Sequence, residues 1–539
     1  MNIVQPKLLE DLEIDKKIIP SIDKTITMFG QAKFRELFNI MYYGEQNLMR
    51  RREIIQSIIQ NTTSKKKITR SLNKIKTYQD DIGWLFTPVG KEFKELYCTN
   101  EMFNTRDILS VKNFLKTYTP SLIVIVYFLI YLVFRYYGVS INLKDYFYGI
   151  YLGYKIFIES MLSLVSGNEY MISFATNFLA TLYVFYQIYS IYNSFDSSIS
   201  HYYKCSDFKS KFRNISHVLD EINLIYNNDK FMTREKQLIK SSLDNVNDFF
   251  ANKINKLGDS LILKKTAESI EKDMNSILQY VGLIDAFINI SKLVTVKGYV
   301  FPNFVFGQQK PYLMSEGLWC PYINKHEQIT NDCQLGTPNN MIITGPNTSG
   351  KSTYIRMAML SVLLSQTIGV TCCTNILFTP FKYLFTYLDI PNIVRNKESL
   401  FEAEILRCME YCNILAGLGT DEFGNREFSF TVIDELFTGT NPKEGIASSY
   451  AVCEHIGKFD NSLNIITTHF MELTKLGDDL PNVFKNMKFY VIKNEDGSFD
   501  RPYVIKEGKS EQHIAIALLK NKGYNDDIVN RALDKLKDL

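Results

Sequence analysis

The chain has 539 residues, 46% of them hydrophobic and 22% charged, with only 27 Gly and 14 Pro. That size calls for about two to four domains and excludes a mainly disordered chain or a small disulfide scaffold. Lys and Arg number 61 against 58 Asp and Glu, a net charge of +3, so a polybasic nucleic-acid-coating protein is also excluded and any such surface has to be a local patch.

The opening stretch MNIVQPKLLEDLEIDKK is charged and lacks the apolar run of a secretory signal. The nine cysteines (98, 205, 320, 333, 372, 373, 408, 412 and 453) contain no CxxC pair and no Cys/His group at zinc spacing. Free thiols in a reducing compartment are the expectation. Up to about residue 110 the pattern is helical, with a basic stretch from Arg50, Arg51 and Arg52 through Lys65, Lys66, Lys67 and Arg70 to Lys74 and Lys76. Two readings stand for it, a solvated helix face and a patch that contacts phosphates.

Between about 118 and 196 the chain changes character. SLIVIVYFLIYLVF, residues 121–134, has no charge, and neither does the run YMISFATNFLATLYVFYQIYSIYNSF at 170–195. Both are long enough, with their neighbours, to cross a bilayer, and they lack the polar stripe of a soluble amphipathic helix. Lys144, Asp145, Lys155 and Glu159 interrupt the aromatic-rich stretch between them, which reads as an amphipathic segment lying at an interface or capping the pair. Lys112 and Lys116 precede the first run, and Lys204, Lys209, Lys211 and Arg213 follow the second. This asymmetry predicts a two-span hairpin with both termini cytoplasmic, in an intracellular, membrane-associated protein. The competing reading is a buried helical pair within a large soluble domain.

Helical periodicity returns from 205 to about 290, where Phe208, Phe212, Ile215, Leu219, Ile222 and Ile225 recur at three and four residues. From Val294 short β-branched runs alternate with helical segments, as in an α/β domain. Within it, MIITGPNTSGKST at 341–353 is an apolar strand running into glycines and a lysine at P-loop spacing, then a helix. Such a loop wraps phosphates with backbone N–H groups, Lys351 facing the β and γ phosphates and Ser352 holding Mg²⁺. FSFTVIDE at 428–435 ends a second strand on two acids, Asp434 toward the metal and Glu435 toward an attacking water. NIITTH at 464–469 brings His469 to the same sheet end, within reach of the γ phosphate.

GPNTSGKSTYIR, NKESLFEAEILRCMEYCNIL, FTVIDELFTGTNPKEG and NIITTHFMELTKL, in that order, resemble the ATPase domain of the MutS family of DNA mismatch-repair proteins. QKPYLMSEG and ITNDCQL upstream, and RPYVIKEGKSEQHIAIALLKNKGYNDDIVNRALDKL downstream, extend the likeness over 294–539. IIPSIDKTITMFGQAKFRELFNI, NLMRRREIIQSII and YVGLIDAFINISKL are similar to the family's helical core, from which lever helices run out to a DNA-holding clamp. Here the apolar hairpin stands where the clamp would be.

The resemblance implies an α/β P-loop NTPase domain at the C-terminus, an ABC-type ATPase of MutS kind, preceded by an all-α core and lever domain with a two-span transmembrane hairpin. Its divisions are 1–117 for the first half of the core with the outgoing lever, 118–196 for the hairpin, 197–293 for the returning lever and core, and 294–539 for the ATPase domain. It implies ATP and Mg²⁺ as cofactors, bound by Gly345, Pro346, Asn347, Thr348, Ser349, Gly350, Lys351, Ser352 and Thr353, with Ser352 and Asp434 as metal ligands. Lys351, Glu435 and His469 would carry catalysis, and Ser399 would reach the nucleotide of a second subunit, with Gly439 and Thr440 in the loop after the acids. A homodimer or a pair with a related MutS-type subunit follows, as does double-stranded DNA as a partner and a lipid bilayer at 121–192.

Departures from the family pattern bear on function. The chain starts at the core, so a mismatch-reading domain is not expected. Thr348-Ser349 and Phe437-Thr438 replace the family's Met-Gly and Gly-Arg, and Gln328 stands where a ring stacking on adenine is usual, leaving base preference open. Three readings of function remain at this point: a DNA-associated ATPase, a membrane-embedded ATP-gated machine acting without nucleic acid, and an inert scaffold. The intact set Lys351, Ser352, Asp434 and Glu435 speaks against the last.

Overall fold

The computed structural model describes residues 2–163, 169–251, 256–388, 400–421, 424–494, 498–510, 512 and 514–538. The chain forms two compact units, one of Met1–Asn73, Ile225–Lys236 and Leu278–Leu539, the other of Lys74–Leu224 and Gln237–Ile277. Four helices, Thr62–Phe86, Glu169–Asn228, Thr233–Leu238 and Glu271–Lys297, contribute residues to both.

In the first unit two distant stretches are joined by one carboxylate. Helix Met28–Phe38 begins after Thr27, whose hydroxyl accepts the Gly30 N–H at 3.0 Å, a cap for an amide that has no partner inside the helix. Asp285, 1% exposed in helix Glu271–Lys297, accepts from the Thr27 N–H (2.8 Å), the Thr27 hydroxyl (2.9 Å) and the Ile26 N–H (2.9 Å). Burial raises the Asp285 pKa, and these hydrogen bonds pull it back down. A Cβ at residue 30 would sit 2.2 Å from Asp285 Oδ2, so only glycine admits the approach. One turn along, Asn289 accepts the Lys24 N–H and donates to the Ile22 carbonyl, both at 3.1 Å.

The α/β part of this unit carries a six-stranded sheet. Its strands are β1 (Asn340–Thr344), β2 (Tyr383–Tyr387), β3 (Ser429–Asp434), β4 (Ser462–Thr467), β5 (Phe484–Lys488) and β6 (Lys506–Glu507). The order is β6-β5-β1-β4-β3-β2, parallel except for β6. β1 and β4 are buried at every position, as strands covered on both faces must be. Helix Lys351–Thr367 is buried almost all round, whereas Leu400–Ala416 and Pro442–Ile456 are amphipathic covers that pack Tyr411, Leu415, Cys453 and Ile456 on Phe385 and Ile433. A smaller sheet holds Asn303–Phe304, Asn375–Phe378, Leu313–Leu318 and Asn331–Leu335 in that order.

The second unit is helical. Trp84, Phe93, Phe208 and Phe212 form an aromatic core with centroids 5.2 to 6.1 Å apart, edge-to-face except for the tilted Phe208–Phe212 pair. Lys264, 5% exposed, donates to the Leu85 carbonyl at 2.9 Å and the Thr87 carbonyl at 2.6 Å. It thereby caps the end of Thr62–Phe86, and burial lowers its pKa to about 8. Glu95 receives Lys204 at 2.6 Å and Lys116 at 3.0 Å. These two contacts hold its carboxyl at about 2.

Both apolar runs are helical. The first lies in Arg106–Tyr136, with every large hydrophobic side chain of 122–130 between 41 and 52% exposed. The second is the first part of the 60-residue helix Glu169–Asn228, where Phe178, Phe185 and Ile188 are 58 to 66% exposed. The connecting stretch, read as an interfacial segment, is itself a helix, Leu143–Ser163, that exposes Phe147, Ile156 and Phe157. The Tyr146 hydroxyl donates to the Tyr127 carbonyl at 3.1 Å, and the Tyr154 and Tyr183 rings lie 4.4 Å apart. Among the described residues two helical stretches are long and apolar enough to cross a membrane: Arg106–Tyr136, 6% buried over its most apolar window, and Leu257–Lys297, 78% buried. The second is a core element by its burial, and the first exposes an apolar surface larger than soluble monomers usually carry. The nine cysteines are all free.

Asp285→Ala should destabilise the first unit by about 2–4 kcal/mol, because it strands two buried N–H groups and a hydroxyl. Thermal unfolding followed by circular dichroism checks this; an unchanged first transition would remove Asp285 from its structural role.

Candidate nucleotide site

Parallel register decides which loops meet. Thr467 in β4 pairs with Ile343 in β1 on one side and with Asp434 in β3 on the other, so the three strands end level, at the edge where open α/β sheets place their ligands. The exits are stitched together: the Thr468 N–H donates to the Ile343 carbonyl at 3.0 Å and the Glu435 N–H to the Thr467 carbonyl at 3.1 Å. The Thr467 hydroxyl hydrogen-bonds to Asp434 Oδ1.

The loop 345–350 leaves β1 and enters helix Lys351–Thr367 through Gly350, whose φ of +107° lies in the region that favours glycine. A Cβ there would also stand 3.1 Å from the Tyr503 ring. The first turn of the helix directs N–H groups without intrahelical acceptors into the loop. Lys351 is 5% exposed and its Nζ donates to the Gly345 carbonyl at 2.7 Å and the Pro346 carbonyl at 3.2 Å. Burial pushes the ammonium below its ordinary pKa, and Glu435 and Asp434 act against that shift.

Glu435 has φ +55° and accepts His469 Nε2 at 2.6 Å. That hydrogen bond, against partial burial, lowers the Glu435 pKa. The carboxylate therefore stays ionised down through the ordinary carboxylate range, and its charge is lost only as pH falls through the lowered value.

A cavity of about 410 Å³ opens over the loop, lined by residues 347–354, Met357, Glu435, Gln328 and Tyr503 among others. That size suits a small-molecule ligand. Ser349 Oγ in its wall is buried without a hydrogen-bond partner, an orphan that a bound phosphate oxygen would satisfy. Ser352 and Asp434 offer oxygen donors, the type that Mg²⁺ prefers alongside phosphates. Among the described residues no group of three His, Cys, Asp or Glu side chains forms a metal cage, so the donor set fits a metal that arrives with phosphate. Gly345, Pro346, Thr348 and Thr353 belong to the same loop and helix start. Ser399 lies outside the described residues. Next to it, Glu404, 3% exposed, accepts the Thr438 hydroxyl at 3.3 Å and the Gly439 N–H at 3.2 Å, tying the loop after the acids to helix Leu400–Ala416.

Several site residues escape motif reading. Asn331 donates to the Tyr503 carbonyl and accepts the Ile505 N–H, both at 2.9 Å, pinning the segment that carries Tyr503 beside the P-loop. Arg501 Nε donates to the Thr348 hydroxyl at 3.1 Å. The signal available was the stretch RPYVIKEG itself, whose strand-like pattern sits close behind the last parallel strand. Gln328 does line the cavity, but its amide is occupied by the Cys320 and Ile323 carbonyls at 2.9 and 3.0 Å; the ring at this site is that of Tyr503.

The basic stretch disperses. Arg50 pairs with Glu235 at 2.8 Å and Lys74 with Glu221 at 2.6 Å, while Arg51 is buried. Lys66, Lys67 and Arg70 remain exposed on Thr62–Phe86.

Residues 341–539 match the family model of MutS domain V. The DNA mismatch repair protein MutS of Finegoldia magna is 26% identical over 335 residues, 61% of this chain and 37% of that protein. MutS of Persephonella marina is 29% identical over 262 residues, covering 48% of this chain and 28% of the relative. MutS protein homolog 4 of Mus musculus is 30% identical over 241 residues, 43% of this chain and 23% of that one. The chain thus spans little more than a third, or less, of the relatives it matches. With the P-loop, the paired acids and the histidine gathered on one sheet edge, residues 341–539 are similar to MutS domain V, and the chain is similar to proteins of the MutS family.

Proposed function

We propose that this chain is a Mg²⁺-dependent ATP hydrolase of MutS type whose ATPase domain, 294–539, pairs with a second copy or a related subunit when ATP binds. The observation that supports the reading is the level ending of β1, β4 and β3, which brings Asp434, Glu435 and His469 to one sheet edge beside the cavity that Lys351 and Glu435 line. Lys351 exchanges the Gly345 and Pro346 carbonyls for the β and γ phosphates, and the helix N-terminus and loop amides, with Asn347, Ser349 and Gly350, cradle the remaining charge. Mg²⁺, held by Ser352 and Asp434, supplies charge neutralisation on the phosphates when bound. Glu435 orients the attacking water, and His469, now on Glu435, turns to the γ phosphate. Ser399 completes the site of the opposite subunit, by resemblance to the family.

In this reading 1–117 and 197–293 are core and lever segments, and the apolar region 118–196 anchors them in a bilayer, leaving both termini cytoplasmic. DNA is the partner suggested by the names of the relatives, double-stranded by the resemblance to the family, with Lys66, Lys67 and Arg70 as exposed phosphate contacts. A second reading, a membrane-embedded machine that moves without nucleic acid, is favoured by the exposed apolar faces of Arg106–Tyr136 and Leu143–Ser163.

Lys351→Ala should weaken ATP binding about 10- to 100-fold, the worth of a charge-assisted hydrogen bond. Glu435→Ala should keep ATP affinity and lose about 10²–10⁴ in turnover. Both are read by nucleotide titration and phosphate release, and unchanged ATP affinity in the Lys351 variant would sink the site.

Membrane anchoring predicts that the full chain floats with liposomes and that Ile125→Lys, about 2.5–3.5 kcal/mol against insertion at a helix centre, lowers the floated fraction. A chain soluble and monodisperse without detergent refutes it. Duplex binding whose affinity falls log-linearly with salt supports the DNA reading. No binding at low salt leaves the second one standing.

A further inference from the structure

Arg51, in helix Glu45–Gln60, is 7% exposed, and its Nη1 has no hydrogen-bond partner. A guanidinium taken out of water is ordinarily matched by a carboxylate, because an unpaired buried charge loses its hydration without recompense. Its neighbour here is Tyr42, whose ring lies 4.4 Å from the guanidinium carbon and attracts the cation; the Tyr42 side chain also hydrogen-bonds to the guanidinium, leaving Nη1 as the nitrogen without a partner. Burial lowers the Arg51 pKa to about 10, with Tyr42 opposing, so the group is charged at neutral pH. The ring is held in place from behind: the Tyr42 N–H donates to the Gln366 carbonyl at 3.1 Å, and Gln366 Nε2 donates to the Tyr42 carbonyl at 2.8 Å.

Arg51 lines a cavity of about 330 Å³ together with Lys33, Arg50, Arg234, Glu36 and Glu235. Lys33 is paired with Glu36 and Arg50 with Glu235, each at 2.8 Å. Four cations against two carboxylates leave two positive charges without an acid in the lining, on buried Arg51 and on exposed Arg234. We propose that this cavity binds a phosphate-class oxyanion, with Arg51 Nη1 as its buried donor and Arg234 at its rim. A phosphate dianion cancels the surplus, whereas a monocarboxylate leaves half of it. The fork of the guanidinium also matches paired phosphate oxygens. The ion arrives either free or as the monoester of a small metabolite. The inference is independent of the nucleotide reading, since the cavity shares no residue with the P-loop.

Equilibrium dialysis of labelled inorganic phosphate tests it, on the full chain carrying Lys351→Ala so that the P-loop contributes least. Saturable binding is expected, weakened about tenfold or more by Arg51→Met. Arg234→Gln, at an exposed position that does not endanger folding, should weaken it about threefold. Glycerol phosphate as competitor separates the sources: displacement at lower concentration than unlabelled phosphate assigns the cavity to a phosphorylated metabolite, and at equal or higher concentration to the free ion. Absence of saturable binding, or equal affinity in the parent and both Arg variants, overturns the proposal.

Discussion

Three parallel strands ending at the same level are the constraint on which the site rests. Had β4 been shifted by one residue against β1 or β3, every side chain would change faces, and Thr467 would no longer meet Asp434 or present its carbonyl to the Glu435 N–H. The pairing also sets a backbone cost. Glu435 and Phe437 both take positive φ just after β3, a conformation non-glycine residues adopt only where surroundings impose it. The tight exit turns the Glu435 carboxylate back toward His469 and the cavity instead of letting the strand run on.

A comparable logic joins the helical part of the first unit. Asp285 and Asn289 lie one turn apart on Glu271–Lys297 and together take up backbone groups of residues 22–27. Their partners are more than 250 positions away in the chain, so loop-closure entropy opposes the contact until much of the chain has folded. Buried acceptors of this kind reward only the correct register, because a mismatched helix would leave the carboxylate unpaired.

What could be read in advance follows the range of the interactions. The P-loop and the acid pair were legible because glycine, lysine and carboxylate positions are dictated within a few residues by phosphate chemistry. The helical character of 205–290 was legible from periodicity, as was the apolar character of 121–134. Tyr503, Asn331 and Arg501 were not singled out, since their role comes from a segment folded back over a loop some 150 residues earlier. The helix Leu143–Ser163 was read as interfacial because four charges interrupt it, yet those charges leave long apolar faces that the folded chain exposes. The basic stretch was legible as charge but not as contacts: Glu235 and Glu221 take two of its cations and burial takes Arg51.

The two buried cations of the first unit make the physics of recognition explicit. Lys351 is satisfied by two loop carbonyls, so the proposed exchange onto phosphate would replace neutral acceptors by charged ones, and the gain would be the difference between the two kinds of hydrogen bond rather than the whole of either. Arg51 has no acceptor to give up at Nη1. An anion meeting it recovers desolvation already spent in folding, which is why a cavity with less charge-assisted machinery than a P-loop can still discriminate strongly for an oxyanion. The first arrangement would suit the proposed turnover, since the carbonyls are ready to take the lysine back. The second would suit a ligand that stays.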